Sequence, residues 1–181
     1  MNRIDIMSAN LESLISQFYD DLRLLGSFKQ VAPEQVPDNY RELLDHHSHM
    51  TVALEECHDS PVDLRVLEVH DGPRFYSRKL ALSRRSDGRI VLFGLMRLNP
   101  KLLPAAAMAE IRAQSEPLGH ILIKHNVLRE VQRLQLWQVC PGAEPRDLFK
   151  LKDDQPIYGR TALIRCNTQP AIELLEIVSV D

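Results

Sequence analysis

The stretch RFYSRKLALSRRSDGRIVLFGLMRLNP, residues 74–100, decides the fold of this chain. Its two halves, 74–83 and 89–98, place leucine, aromatic and β-branched residues at near-alternate positions, which is typical of strands. Between them lies RRSDG at 84–88, and Asp-Gly is one of the stronger short-range signals for a β-hairpin. The stretch therefore predicts two antiparallel strands joined by a tight turn.

Segments on both sides of this hairpin carry the same strand pattern and are bounded by turn residues. Six strands are predicted, at 49–57, 62–70, 74–83, 89–98, 130–139 and 160–178, the last of which splits into two at a turn around 167–170. Helices are predicted at 8–25, around 40–44, within 100–114, from 117 to 123 and at 144–151. Because the strands form consecutive hairpins and the helices are inserted in groups, the pattern indicates an α+β fold with a single six-stranded antiparallel sheet and helices grouped against it.

Length and composition are those of an ordinary globular protein. The 181 residues are 44% hydrophobic and can bury a core without disulfides. The 22 Lys and Arg against 25 Asp and Glu give a net charge of −3 without a basic cluster, which argues against nucleic acid as a partner. Three scattered cysteines indicate a reducing compartment. Because no apolar run approaches the ~20 residues needed to span a bilayer and no signal-peptide core is present, a cytoplasmic protein without a membrane span is expected.

Arg78 lies on an apolar face of the first hairpin strand. Side chains alternate across a strand, so Arg78 shares its face with Tyr76, Leu80 and Leu82. A guanidinium stays charged at working pH and, once enclosed, needs an anionic partner, either a protein carboxylate or a ligand. The residues alone allow two interpretations: an edge arginine whose head reaches water, which is the commoner case, or an anion-binding arginine inside a pocket.

Glu173 and Glu176 raise the same question on the last strand, which is apolar on both faces. Such a strand is normally covered on both sides, so at least one of the two carboxylates is expected in a site of low dielectric constant. A carboxyl group in these surroundings suits a proton donor or acceptor, whereas a structural ion pair, for example with Arg78, is the commoner arrangement. Arg97 is a second cation on an apolar face, but it lies near a strand end where its head can reach solvent.

His46, His47 and His49 lie close enough in sequence to suggest a metal site. Their spacing lacks the i, i+4 geometry of a zinc-binding helix, and no nearby cysteine completes a ligand set. The sequence also contains neither a nucleophile elbow around a serine nor a glycine-rich phosphate loop. We therefore expect no metal site and no cofactor.

A series of short motifs runs along the second part of the chain. They are Leu43-Leu44, His49-Met50-Thr51, Tyr76-Ser77-Arg78, Pro117-Leu118-Gly119, Tyr158-Gly159-Arg160 and PAIELLE at 170–176. None is specific alone, but in this order they resemble the chorismate lyase family, also called chorismate pyruvate-lyase, and most closely its short bacterial branch. The resemblance covers 38–179 as a core and leaves an N-terminal helix and connector, 1–37, outside it. The whole chain, 1–181, is expected to form a single domain.

The resemblance implies a fold and an activity. The fold is a six-stranded antiparallel sheet with helices grouped against it, which agrees with the strand count reached from the residues. The activity is that of a cofactor-independent carbon–oxygen lyase, which converts chorismate to 4-hydroxybenzoate and pyruvate in aromatic acid biosynthesis. By position, Arg78 matches the arginine that holds the aromatic carboxylate, and Met50 and Leu118 match residues that surround the ligand.

The resemblance also implies a catalytic acid and a second cation. Glu176 is the preferred match for the acid because an apolar pair follows it, and Glu173 is the other candidate. Arg97 is the nearest match for a second arginine that binds substrate, with Arg160 next. The motifs leave both assignments open.

A non-catalytic ligand-binding module is the main alternative from a different class. Effector-sensing domains of some bacterial transcription regulators resemble the same fold and bind small acids or sugar phosphates without transforming them. In those regulators a helix-turn-helix domain precedes the sensor, and residues 1–37 are too few for one, so a free-standing module is expected. Arg78 would bind a small aromatic acid in either case, while oligomeric state and downstream pathway stay open.

Overall fold

The computed structural model describes residues 10–180. Its helices are α1 (Leu11–Ile15), α2 (Asp38–Leu44), α3 (Met50–His58), α4 (Ala105–Ala113), α5 (Leu118–Lys124) and α6 (Ala143–Phe149). Its strands are β1 (Gly26–Val31), β2 (Val62–Asp71), β3 (Tyr76–Arg84), β4 (Ile90–Leu98), β5 (Arg129–Pro141), β6 (Ile157–Cys166) and β7 (Gln169–Val178). Short 3₁₀ turns lie at Leu22–Leu24, Pro33–Gln35 and Pro100–Leu102.

The strands form one antiparallel sheet in the order β1-β5-β6-β7-β4-β3-β2. The hairpin predicted from 74–100 is present as β3 and β4, which pair from Tyr76 opposite Leu98 onward. The predicted division of 160–178 is also present, because Asn167 and Thr168 both have positive φ and turn the chain between β6 and β7. The prediction of an α+β fold built on one antiparallel sheet is confirmed.

The seventh strand, β1, lies in a segment that the sequence pattern predicts to be a connector. Its sequence GSFKQV carries only two apolar side chains, Phe28 and Val31. Few are needed, because β1 is an edge strand that pairs only with β5 among the strands of residues 10–180. Phe28 packs edge-to-face on Trp137 of that neighbouring strand, with 6.3 Å between the ring centroids.

The segment 49–57, predicted to be a strand, forms helix α3 instead. Its run of Ala-Leu-Glu-Glu favours a helix, and near-alternate apolar residues in a short segment also fit a helical period. The helix places Met50 and Leu54, four residues apart, on one face, where both are buried in an apolar cluster over the sheet. It ends at Asp59, which adopts the left-handed conformation with φ of 45°.

The N-terminal helix is shorter than predicted. Of the predicted range 8–25, residues 8 and 9 lie outside the described residues, and α1 ends at Ile15. Asp21 then accepts a hydrogen bond from the backbone N–H of Arg23 and caps a separate 3₁₀ turn. Such local side-chain bonds compete with continuation of a helix. The other predicted helices are present as α2, α4, α5 and α6.

Helices cover both faces of the sheet. On one face, α2 and α3 pack in one apolar cluster, and α4 and α5 pack in another. Helices α1 and α6 pack on the opposite face in a third cluster. A hollow lies between the two clusters of the first face, and it holds the candidate site. No helix in the range 10–180 has the length and apolar character needed to cross a membrane.

Candidate ligand-binding site

The hollow has a floor made by four neighbouring strands. One row of cross-strand neighbours runs across this floor, and it consists of Leu80 on β3, Gly94 on β4, Glu176 on β7 and Arg160 on β6. The apolar part of the lining includes Leu82, Leu92, Met96, Val131, Ile164 and Leu174. The hollow encloses a cavity of about 50 Å³, which is more than a single water requires.

Two helix N-termini lie at the hollow. Met50 and Leu118, both expected from the sequence to surround a ligand, are the first residues of α3 and α5 and line the hollow. Gly119 allows the helices to approach each other, since a Cβ at this position would lie 2.9 Å from the Thr51 Oγ1. His49 precedes α3 and provides no side-chain cap. The first turn of this nine-residue helix therefore receives no hydrogen bond from its N-cap side chain.

Arg78 lines the hollow and is completely buried, with 0% of its surface exposed. Its Nη1 donates a long hydrogen bond of 3.5 Å to the carbonyl of Ile111 on α4. The Nε and Nη2 atoms have no hydrogen-bond partner among the described residues. Burial lowers the pKa of Arg78 below its ordinary value, and the neighbouring Tyr76 side chain opposes this shift. A buried guanidinium with unpaired N–H groups is energetically costly, and an anion would satisfy those groups.

Arg160 and Glu176 form a buried ion pair at the other end of the floor, with 2.7 Å between Nε and Oε2. The terminal nitrogens of Arg160 donate to the backbone carbonyls of Leu44, His46 and Ser48 at 3.4, 2.9 and 3.3 Å. Glu176 therefore neutralises Arg160, and the guanidinium holds the segment that leads into α3 against the sheet. The ion pair that the sequence suggested for Arg78 is made by a different arginine.

His46 and His49 lie just before α3. His49 accepts a hydrogen bond from the Arg129 Nε, and the Nδ1 of His46 lies 3.3 Å from the Nη1 of Arg160. Burial, and then the charge of these guanidiniums, lowers the pKa of both histidines to about 4. Both imidazoles are therefore neutral at pH 7. Within 10–180, no three His, Cys, Asp or Glu side chains are grouped so that they could hold a metal ion.

The free energy of unfolding is expected to fall as the pH drops from about 6.5 towards 4. The folded-state pKa of His46 and His49 is about 4, below the value of about 6.5 for an unfolded chain, so the folded state binds fewer protons in this window. The contribution of these two histidines to the free energy of unfolding is therefore complete above this pH window and is lost as the pH falls through it. Urea unfolding at several pH values measures the loss. The double variant His46→Gln/His49→Gln should show a flatter dependence, and an equally steep decline would contradict this origin.

Arg97 and Glu173 lie on the opposite face of the sheet. They form an ion pair with 2.5 Å between Nε and Oε2, and the Nη1 of Arg97 donates to the Ser13 hydroxyl on α1. The two residues are directly opposite each other on β4 and β7. Glu176 is an odd number of positions from Glu173 along β7, so its side chain lies on the other face of the sheet. The structure therefore brings Glu176, but neither Arg97 nor Glu173, to the hollow that Arg78 lines.

The sequence reasoning misses Gly94 and ranks Arg160 behind Arg97. For Gly94 a signal exists, since a lone glycine inside a strand pattern often marks a place where another molecule approaches closely. For Arg160 the signal is the β6–β7 hairpin, which places this strand beside the one that carries Glu176. Gly119 is quoted in a motif, but its role between two helices depends on their packing.

No protein-family model and no curated protein matches this sequence. The ligand-binding domain of a GntR-family transcriptional regulator from Bordetella bronchiseptica is similar in structure, with 12% identity and a TM-score of 0.52 over 66% of this chain and 86% of that one. PhnF from Mycobacterium smegmatis has 11% identity and a TM-score of 0.56 over 72% of this chain and 63% of that chain. The effector domain of PhnF has 11% identity and a TM-score of 0.55 over 72% of this chain and 88% of that domain. At this identity the similarity shows the fold, which is the chorismate lyase-like fold of such domains.

The predicted enzymatic activity is wrong. The similar structures are ligand-binding and effector domains of regulators, which contradicts a carbon–oxygen lyase that makes 4-hydroxybenzoate and pyruvate from chorismate in aromatic acid biosynthesis. The ion pairs are consistent with this correction, because both candidate acids, Glu173 and Glu176, are engaged by guanidiniums of the chain itself. The findings favour the alternative prediction, a non-catalytic ligand-binding module.

Proposed function

We propose that this protein binds a small organic acid and does not transform it. The observation that carries the proposal is Arg78, a completely buried guanidinium that lines an apolar hollow. Its two unpartnered atoms, Nε and Nη2, form one edge of the planar group. A carboxylate accepts two parallel hydrogen bonds from such an edge, so it is the anion that best completes the site.

The charges around the hollow favour a ligand with one negative charge. Arg160 and Glu176 neutralise each other and His49 is neutral at pH 7, so the described lining has a net charge of +1 from Arg78. One carboxylate balances this charge, whereas a second would be enclosed without a cation of its own. The apolar walls suit a ring or branched body better than a sugar. We therefore propose a compact aromatic monocarboxylate as the ligand class.

The comparisons support this proposal at the level of the fold. The similar structures from Bordetella bronchiseptica and Mycobacterium smegmatis are described as a ligand-binding domain and an effector domain. In this chain, Met50 and Leu118 would contact the ligand from the two helix N-termini. A single domain over 1–181 and a cytoplasmic location remain predictions.

Benzoate and benzamide, which have similar shapes but differ in charge, test the proposal. Isothermal titration calorimetry at pH 7 is expected to show benzoate binding to one site. Benzamide should bind at least about 30-fold more weakly, because it cannot form the charged pair with Arg78. Proton NMR of the mixture should recover benzoate unchanged after prolonged incubation. Equal affinities for the two compounds, or no binding of benzoate and its homologue phenylacetate, would contradict the proposal.

A further inference from the structure

Gly94 lies at the centre of the hollow floor. It is in the middle of β4, a strand with neighbours on both sides, and it is opposite Leu80 on one side and Glu176 on the other. A glycine inside a buried strand weakens the sheet, because it loses more backbone freedom on folding and has no side chain to pack. A glycine at this position therefore needs a reason other than strand stability.

The backbone at Gly94 does not require glycine. Gly26 and Gly88 have φ of 139° and 72°, but Gly94 lies outside this region, and other residues can adopt its conformation. A Cβ at residue 94 would lie 3.2 Å from the Cδ2 of Leu92 and 3.4 Å from the Cδ1 of Leu80. Both atoms are the ends of flexible side chains, so small shifts relieve these contacts. A side chain here would occupy space in the hollow, and the end of the Leu92 side chain would shift by a few tenths of an ångström to admit it.

We propose that Gly94 is a specificity-determining residue, whose missing side chain leaves room for the ring of the acid that Arg78 binds. This inference rests on the proposed function. Arg78 is opposite Met96, two positions along β4 from Gly94 and on the same face of the sheet. Two positions correspond to about 7 Å along a strand. The ring of an aromatic acid held at Arg78 would therefore extend closer to residue 94 than the body of an acid as short as propionate.

The variant Gly94→Val tests this inference by adding volume to the floor. The affinity for benzoate, measured by calorimetry, is expected to fall at least about tenfold, because the γ-methyl groups occupy the space of the ring. The affinity for propionate, measured by NMR titration, should change less than about threefold, since this acid contacts the Arg78 end alone. The free energy of unfolding should stay the same or rise, because valine favours strands.

The control is Gly72→Ala, a glycine replacement in the turn between β2 and β3 that should leave the affinity for both acids unchanged. Unchanged benzoate affinity in Gly94→Val, or equal losses for benzoate and propionate, would overturn the inference while leaving the proposed function intact. Failure of the wild type to bind either benzoate or phenylacetate would instead overturn the proposed function. If the valine variant does not fold, Gly94→Ala decides: a loss of at least about threefold for benzoate alone supports the inference, and no loss overturns it.

Discussion

Replacing Arg78 by methionine is expected to abolish acid binding and to make the unliganded protein more stable. Binding of benzoate should weaken by about 2–5 kcal/mol, the usual loss when one partner of an enclosed charge pair is removed. The free energy of unfolding should rise by about 1–4 kcal/mol, because methionine replaces a buried guanidinium whose Nε and Nη2 have no partner. Calorimetric titration and urea unfolding measure the two effects.

The opposite signs of these effects distinguish a binding residue from a structural one. Arg85→Met is a matched control, because Arg85 is exposed and pairs with Asp63 at the surface, so neither quantity should change appreciably. Arg78→Lys keeps the charge but loses the planar edge, and its affinity for benzoate should be intermediate. Wild-type affinity in Arg78→Met would contradict the assignment of the anion site. Lower stability of this variant would show that the guanidinium has a partner in the folded chain.

Arg160→Met is expected to cause the largest loss of stability, about 3–5 kcal/mol. The variant leaves the Glu176 carboxylate buried without its cation, and it removes the donor from three backbone carbonyls between residues 44 and 48. For a chain of this length the loss corresponds to a decrease in Tm of roughly 6–20 °C. Differential scanning calorimetry of the wild type and the variant measures the change directly.

Two further variants separate the contributions to this loss. Arg160→Met/Glu176→Leu should recover part of the stability, because no charge remains buried, but the backbone carbonyls stay without their donor. Arg112→Met breaks the exposed pair with Asp71 and should cost less than about 1 kcal/mol. A double variant that is no more stable than Arg160→Met would show that the ion pair itself contributes little.

The sequence predicts the hairpin, the alternation of its faces and the general position of the site. Arg78 and Glu176 can both be placed on apolar strand faces from period-two alternation alone, because this period is a property of the extended backbone. The family resemblance adds Met50 and Leu118 by position, and both lie at the hollow. The helical state of 49–57 is not predicted, because the apolar residues of so short a segment fit both periods, and packing over the sheet selects the helix.

The partner of each charge is decided by the tertiary structure. The turn at 167–168 pairs Cys166 with Gln169, and continuing that register without interruption would place residue 160 opposite residue 175. A bulge between Ile164 and Arg165 shifts the register by one, so Arg160 lies opposite Glu176 and on the same face. Such a shift reverses which side chains share a face. Local sequence therefore determines that these residues lie in strands and carry charged side chains, but it does not determine which of them face each other. The bulge in the β6–β7 hairpin gives Arg160 its carboxylate. The pairing of β4 with β7, which are distant in the chain, leaves Arg78 on β3 without one.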